Sequence, residues 1–143
     1  MKILAIDTSC DETAAAATNN NQVLSNIIWS QASAHAKFGG VMPSLAKRMH
    51  EERINWVISE AIKRSQFLAQ NLDAIAVTCG PGLAIALEVG IIKAKEIARK
   101  YRVPLIPVNH IEAHLLSPLT QPRSRSFASK NLKLPAYGLC ISG

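Results

Sequence analysis

Two histidines, His110 and His114, lie four residues apart in the segment VNHIEAHLLSP (108–118). On a helix this spacing places both imidazoles on one face, where they can bind a single metal ion. Zinc proteases share the spacing, but a glutamate directly follows their first histidine and acts as the general base. Here Ile111 has that place, and Glu112 lies about 200° around the helix, away from the metal face. The segment therefore predicts a metal site and disfavours proteolysis, while the residues alone leave surface or capping histidines as an alternative.

The elements that would position this pair alternate between strands and helices. Three strands rich in small and β-branched residues are followed by alternating helical and extended segments. The strands are predicted at 3–8, 13–18, 22–30, 73–80, 103–108 and 136–143, and the helices at 44–69, 83–101 and 110–117. A β-meander followed by βα units predicts a mixed sheet covered by helices, the order of one lobe of the actin, Hsp70 and sugar-kinase (ribonuclease H-like) architecture. Trp29 and Trp56 are expected to pack in the core, and His35 and His50 to be structural or surface residues.

The composition is that of an ordinary globular chain. It has 143 residues, of which 48% are hydrophobic and 18% charged. No apolar run reaches the ~18 residues of a membrane span, and the N-terminus lacks a signal-peptide pattern. The three cysteines are scattered and suit reduced thiols. The chain is therefore predicted to be cytoplasmic, with no membrane partner.

The net charge of +6 is concentrated towards the end of the sequence. After Glu112 no acidic residue occurs, and the polar segment 119–133 carries four basic ones, Arg123, Arg125, Lys130 and Lys133. The segment is predicted to be an exposed loop. It either contacts nucleic-acid phosphates or is simply solvated.

Five segments together resemble one protein family. They are DTSCDET (7–13), KFGGVMPSLAKRMH (37–50), DAIAVTCGPGL (73–83), PVNHIEAHLLSP (107–118) and GLCISG (138–143). Their order is similar to that of the N-terminal part of the TsaD/Gcp family, the tRNA N6-adenosine threonylcarbamoyltransferases. Three positions depart from the family pattern: Ser44 replaces a frequent glutamate, Ile85 a glycine and Glu88 an apolar residue.

The resemblance implies a metal-dependent acyl transfer that modifies tRNA. The threonylcarbamoyl group of threonylcarbamoyl-AMP would move to N6 of the adenine 3′ of the anticodon, in tRNAs that read codons beginning with A. The implied partners are tRNA, threonylcarbamoyl-AMP, a TsaB-like paralogue and a TsaE-like ATPase. The alternatives are a non-catalytic scaffold subunit of the same complex, or a metalloprotease or glycoprotease.

The resemblance also implies roles for individual residues. His110 and His114 would bind one divalent metal ion, iron or zinc, with an aspartate from a second lobe. Asp11 and Glu12 match an acidic pair beside the metal and are the candidate catalytic residues; Glu12 could take the proton of the acceptor amine. The candidate substrate-binding residues are Cys140, Ile141, Ser142 and Gly143.

The resemblance finally implies how the chain is divided. Residues 1–134 would form the first actin-like lobe, and residues 135–143 the truncated start of the second. A site completed by a second lobe predicts that this chain alone is inactive.

Overall fold

The computed structural model describes residues 1–122 and 137–140, with the side chains of 1–120 and 137–140. The described part contains six strands and four α-helices, with short 3₁₀ turns between some of them. The strands are β1 (Lys2–Asp7), β2 (Glu12–Asn19), β3 (Gln22–Ser30), β4 (Ala74–Gly80), β5 (Leu105–Asn109) and β6 (Gln121–Pro122). The helices are α1 (Ala32–His35), α2 (Pro43–Ser65), α3 (Ala84–Tyr101) and α4 (His110–Leu116).

The strands form one mixed sheet in the order β5-β4-β1-β2-β3-β6. β1, β2 and β3 pair antiparallel as the expected meander. β4 pairs parallel with β1, and β5 parallel with β4. The predicted mixed sheet of a meander followed by βα units is therefore confirmed.

The core lies between this sheet and the helices α2 and α3. Every second residue of β1 and β2 is buried, whereas β4, in the interior of the sheet, is buried along almost its whole length. Both patterns follow from the two-residue repeat of a strand and from whether one or both faces are covered. The largest fully buried apolar side chains are Leu4, Ile75 and Val57.

Several sequence predictions need correction. The helix expected to reach residue 69 ends at Ser65, because Gln66 takes a left-handed conformation with φ 64° that closes the helix. The strand predicted at 103–108 is Leu105–Asn109. Trp56 is 49% exposed and was wrongly assigned to the core, whereas Trp29 is half-buried against it.

The segment 119–133 was expected to be an exposed loop, but part of it is regular in the residues that the structure describes. Its residues Gln121–Pro122 form a short strand parallel to β3, so the segment is not irregular throughout. Its four basic residues lie outside the described residues. Among the described helices, none is long and apolar enough to cross a membrane.

Gly90 allows α3 to approach the end of β1. A Cβ added at Gly90 would lie 2.6 Å from Thr8 Oγ1, a buried hydroxyl. That hydroxyl donates to the Ala86 carbonyl at 2.8 Å and accepts from the Gly90 amide at 3.1 Å. The residue type at position 90 therefore controls the distance between helix and strand.

We expect Gly90→Ala to lower the free energy of unfolding by about 1–3 kcal/mol, despite alanine's higher helix propensity. The added methyl group must displace Thr8 or α3, and either movement disrupts the two hydrogen bonds. Urea unfolding measures the loss. A double variant with Thr8→Ala, which removes the clash, should recover part of it, and an unchanged or raised stability in Gly90→Ala alone would contradict the prediction.

Candidate metal site

The site lies where three parallel strands end at the same edge of the sheet. β1 ends at Asp7, β4 carries Thr78 near its end, and β5 runs into His110, the first residue of α4. The carboxyl ends of neighbouring parallel strands in such sheets are the usual place for ligands. Three segments distant in sequence are thereby brought together.

Asn109 determines where α4 begins. Its side-chain oxygen accepts hydrogen bonds from the amides of Ile111 at 2.9 Å and Glu112 at 3.1 Å. Asparagine is a favoured N-cap because it satisfies amides that have no partner within the helix. The cap fixes His110 at the first helical position, so that His114 follows one turn later on the same face.

Asp7 connects β1, β4 and His110 through hydrogen bonds. Its Oδ1 accepts from the Ser9 amide at 2.7 Å, and its Oδ2 accepts from Thr78 Oγ1 at 2.9 Å. His110 Nδ1 lies 3.1 Å from the same Oδ2. Burial on its own raises the pKa of Asp7, but the hydrogen bonds from Ser9, Thr78 and His110 together lower that pKa below its usual value. Asp7 is therefore a carboxylate at neutral pH, and His110 donates its Nδ1 proton to it.

This contact leaves the other nitrogen of His110 as an acceptor. In a neutral imidazole only one nitrogen carries a proton, so Nε2 then has a free lone pair. His110 Nε2 lies 3.1 Å from His114 Nε2, and the two rings meet edge to face. A carboxylate on the far nitrogen is the arrangement that commonly orients a metal-binding histidine.

The two nitrogens fit a shared metal ion. Two imidazole nitrogens that each lie about 2.0–2.1 Å from one ion are about 3–3.4 Å apart, depending on the angle between the bonds. The distance of 3.1 Å falls in this range. Within residues 1–122 and 137–140, however, no group of three or more histidine, cysteine or acidic residues is placed to hold a metal ion. The described residues thus offer two ligands, and further ligands would have to come from elsewhere or from water.

A cleft of about 280 Å³ opens beside the histidine pair. Besides the two histidines, it is lined by residues of β1, β2, the connection between them and α4, which are Asp7, Ser9, Cys10, Glu12, Ala14 and Ala113. Glu12 thus shares the cleft with the histidines. Asp11 does not line it, and its backbone carbonyl accepts a hydrogen bond from the Gln31 amide at 2.9 Å. Of the two candidate catalytic carboxylates, Glu12 is the one beside the histidine pair.

Glu112 lies on another side of α4. Its side chain is exposed and does not line the cleft between His110 and His114. A general base for peptide hydrolysis must reach the water bound to the metal. Glu112 is therefore not positioned to act as the base of a zinc protease.

The described end of the chain lies against α4. Residues 137–140 have no regular secondary structure, although a strand was expected there. With His114, Leu115 and Pro118 they line a second cavity of about 380 Å³. Cys140 is half-buried in this cavity wall, next to the face of α4 that carries His114. The other three candidate substrate residues, Ile141, Ser142 and Gly143, lie outside the described residues.

Sequence reasoning left Asp7 and Ser9 without a role. An aspartate at a strand end is as typical of a turn as of a site, so Asp7 gave no separate signal. Ser9 Oγ lies 3.3 Å from His110 Nδ1, across 101 positions of sequence. The signal for Asp7 that the sequence offered was its position: it lies near the end of one predicted strand, and His110 closely follows another.

The remaining two histidines are buried structural residues. His35 is 3% exposed and its Nε2 lies 3.0 Å from Gln31 Oε1. His50 is fully buried, with Nδ1 2.8 Å from Thr13 Oγ1 and Nε2 3.1 Å from the Cys10 carbonyl. Burial lowers the pKa of His50 below 6.5, and this effect outweighs the raising effects of the Cys10 carbonyl, Asp7 and Asp11.

We expect the free energy of unfolding to fall as the pH decreases below about 6.5. His50 takes up a proton more readily in the unfolded chain than in the folded one, so its contribution to stability is complete above the unfolded pKa of 6.5 and is lost as the pH falls through the lower folded pKa. Urea unfolding at about pH 7.5 and about pH 5.5 measures the change. His50→Gln should reduce it, and an equal pH dependence in that variant would assign the effect to other groups.

Comparison with known protein families gives a match over most of the chain. A family model described as TsaD, tRNA N6-adenosine threonylcarbamoyltransferase, matches residues 22–143. A protein of that name from Clostridium novyi is 48% identical over 144 residues, which are 100% of this chain and 40% of the relative. A second, from Endomicrobium trichonymphae, is 49% identical over 148 residues, which are 100% of this chain and 41% of the relative. The chain thus spans about 40% of the length of the curated relatives it matches.

Solved structures of low sequence identity have the same fold. YeaZ from Pseudomonas aeruginosa superimposes with a TM-score of 0.59 at 21% identity, over 76% of this chain and 43% of YeaZ. Thermus thermophilus RuvC, solved with a Holliday junction substrate, gives a TM-score of 0.51 at 14% identity, over 84% of this chain and 73% of RuvC. At these identities the likeness concerns the fold alone, and it agrees with the ribonuclease H-like, actin-like class.

Proposed function

Since the chain belongs to the TsaD family of tRNA N6-adenosine threonylcarbamoyltransferases, we propose that it supplies the metal-binding half of that reaction's active site. The activity proposed is that of a protein of the relatives' length, because the chain spans about 40% of it. The acceptor is N6 of the adenine 3′ of the anticodon in tRNAs that read codons beginning with A. The observation that carries the proposal is the close approach of His110 Nε2 and His114 Nε2 beside Glu12.

His110 and His114 would hold a divalent ion, and iron and zinc both accept two imidazoles with oxygen ligands. When bound, such an ion supplies a Lewis acid that polarises the acyl donor's carbonyl or stabilises charge on its phosphate. Asp7 keeps the proton of His110 on Nδ1, so that Nε2 faces the cleft as a lone pair. The chain's own contribution to this step is to present two imidazole nitrogens side by side, with the ring of His110 oriented by Asp7.

Glu12 is proposed as the base for the acceptor amine. In the transfer, a bond forms between N6 and the carbamoyl carbon, and the bond from that carbon to the phosphate oxygen breaks, releasing AMP. The N6 nitrogen must lose one proton, which a carboxylate in the same cleft can accept. Asp11 stands next to Glu12 in the sequence, and we propose that its charge supports the same site.

Binding of threonylcarbamoyl-AMP is proposed to involve residues 140–143. The support is the position of Cys140 in a cavity that His114 also lines. We further propose that residues 1–134 form one lobe and that residues 135–143 begin a second. The proposed location is the cytoplasm. The proposed protein partners are a TsaB-like paralogue and a TsaE-like ATPase. The fold shared with YeaZ is consistent with a related paralogue as partner.

A chimera tests the proposed function. These 143 residues would replace the matching first part of the Clostridium novyi relative, which is 48% identical to them. We expect the chimera to transfer threonylcarbamoyl from threonylcarbamoyl-AMP to tRNA in the presence of the relative's partners. The same chimera with Glu12→Gln should lose most of the transfer rate while its metal content stays unchanged. A folded, metal-loaded chimera without activity would contradict the proposal.

The basic segment is proposed to contact tRNA phosphates. Replacement of Arg123, Arg125, Lys130 and Lys133 by alanine in the chimera should weaken tRNA binding and reduce the magnitude of its salt slope by up to about 3, since fewer counterions are released. Binding measured at several salt concentrations gives this slope. As a matched control, alanines at Lys63, Arg64, Lys93 and Lys100, on α2 and α3, change the net charge equally. Equal effects of the two sets of substitutions on tRNA binding would indicate that the segment is a solvated linker.

A further inference from the structure

We propose that His50, on α2, is a positioning residue that fixes the β1–β2 connection (residues 8–11) and thereby the placement of Ser9 and Glu12 beside the histidine pair. The connection leads from Asp7 directly to the two candidate catalytic carboxylates. The proposal rests on the proposed function only for the chemical role of Glu12. The mechanical link from His50 to the connection stands on contacts that do not depend on it.

Three consecutive backbone carbonyls of the connection, those of residues 9–11, are each held by a different part of the fold. Their donors, in sequence order, are the Leu83 amide at 2.7 Å, His50 Nε2 at 3.1 Å and the Gln31 amide at 2.9 Å. The first donor precedes α3, the second lies on α2 and the third follows β3. The connection is therefore hydrogen-bonded to α2, to the residue that precedes α3 and to the residue that follows β3.

His50 is the side-chain donor of this set. The other two donors are backbone amides, which any residue except proline provides. The middle carbonyl depends on the residue type at position 50, and an apolar residue there would leave that carbonyl without this partner. Cys10 is an exposed residue and this hydrogen bond is partly buried, so without it the connection would shift until water could serve as the partner of the carbonyl.

The tautomer of His50 follows from its two neighbours. A carbonyl oxygen can only accept, so the proton must be on Nε2, facing Cys10. In the neutral ring Nδ1 then accepts from the Thr13 hydroxyl, 2.8 Å away. Thr13 is itself fully buried on β2, immediately after Glu12. His50 thus hydrogen-bonds to the residue before and to the residue after the two candidate carboxylates.

Movement of the connection would reach the metal ligands. The Ser9 amide donates to Asp7 Oδ1 at 2.7 Å, and Ser9 Oγ lies 3.3 Å from His110 Nδ1. Glu12 lines the same cleft as both histidines. A shift at residue 10 therefore changes the hydrogen bonding that orients His110 as well as the position of the candidate base.

Two substitutions of similar polarity test the proposal in the full 143-residue chain. The longer side chain of His50→Gln can place an amide near the Nε2 position, whereas that of His50→Asn reaches only the Nδ1 position, towards Thr13. Amide hydrogen exchange is measured at Ser9, Gln31 and Leu83, which each hydrogen-bond to or within the connection. We expect exchange at these amides to be about tenfold faster in His50→Asn, and within about twofold of the original chain in His50→Gln.

Ser25→Ala provides a matched control for lost stability. Ser25 Oγ is buried and donates to the Ala61 carbonyl of α2 at 2.6 Å, on the same helix and sheet but away from the connection. Its loss should lower overall stability without selective acceleration at the three amides. Faster exchange in both His50 variants but not in Ser25→Ala would also support the proposal. Unchanged exchange in His50→Asn, or an equal rise in Ser25→Ala, would overturn it.

The chimera separates this inference from the proposed function. There, His50→Asn should lower the transfer rate at saturating substrate, and His50→Gln should restore it. If the chimera itself is inactive, the proposed function fails, while amide exchange in the 143-residue chain still decides the role of His50. If exchange responds as expected in an active chimera but the transfer rate does not, the positioning of Glu12 by His50 is overturned.

Discussion

Replacing both His110 and His114 by alanine is expected to abolish Zn²⁺ binding by this chain at neutral pH. The two Nε2 atoms, 3.1 Å apart, are the ligands that the described residues offer, and removing both leaves no pair of nitrogens at chelating distance there. Each single alanine variant should already lose most of the affinity, because one imidazole does not chelate. Competition with a chromophoric Zn²⁺ chelator measures the dissociation constant.

Glu112→Gln is the matched control for this experiment. Glu112 lies on the same helix but does not line the cleft, so its substitution should leave the Zn²⁺ dissociation constant unchanged. Retention of full affinity by the double alanine variant would show that the ligands lie elsewhere, for example at the cysteines. In the chimera, the double alanine variant should also lose threonylcarbamoyl transfer.

Asp7→Asn is expected to weaken Zn²⁺ binding by about 10–100-fold, the usual effect of removing the partner that orients a metal-binding histidine. The amide that replaces Oδ2 can donate to His110 Nδ1, which then must accept. The proton of His110 moves to Nε2, and a protonated Nε2 cannot bind a metal ion. The ¹⁵N chemical shifts of the His110 ring identify which nitrogen carries the proton, and the dissociation constant is measured as above.

Thr78→Val tests whether Asp7 affects metal binding through its charge or through its hydrogen bond to β4. This variant removes the 2.9 Å hydrogen bond to Oδ2 but retains the carboxylate that accepts from His110. We expect it to change the Zn²⁺ affinity far less than Asp7→Asn and to leave the proton on Nδ1. If both variants weaken binding equally, Asp7 acts by holding the strand ends together and not by setting the tautomer of His110.

The order of strands and helices could be predicted because each follows from local periodicity. The apolar repeat of α3 predicts that Leu87, Ile91, Ala94 and Ala98 face inward; three of them are buried, and Ile91 is partly buried against the core. The residues at which helices and strands end could not be predicted in the same way. They depend on single residues such as Gln66, whose left-handed conformation ends α2. No hydrophobic repeat encodes that conformation.

Burial along α2 was only partly predictable. The repeat did not place the polar His50 inside, yet it is fully buried, since Thr13 and the Cys10 carbonyl satisfy both ring nitrogens. Trp56, apolar enough for the core, remains half exposed because the face of α2 on which it lies is not covered by the described residues. A side chain's burial depends on partners from other elements, which a single helix pattern does not contain.

By itself, the sequence determined the paired histidines, because a spacing of four residues and an asparagine cap act within one short helix. It also determined the family, through five segments in a fixed order. Only the tertiary structure decided that Asp7 supports His110, that Glu12 and not Asp11 lines the cleft, and that His50 holds the connection between them. These contacts join residues 40 to 103 positions apart. Parallel pairing of β1, β4 and β5 brings their ends to one edge of the sheet, and no local pattern in the chain carries that information.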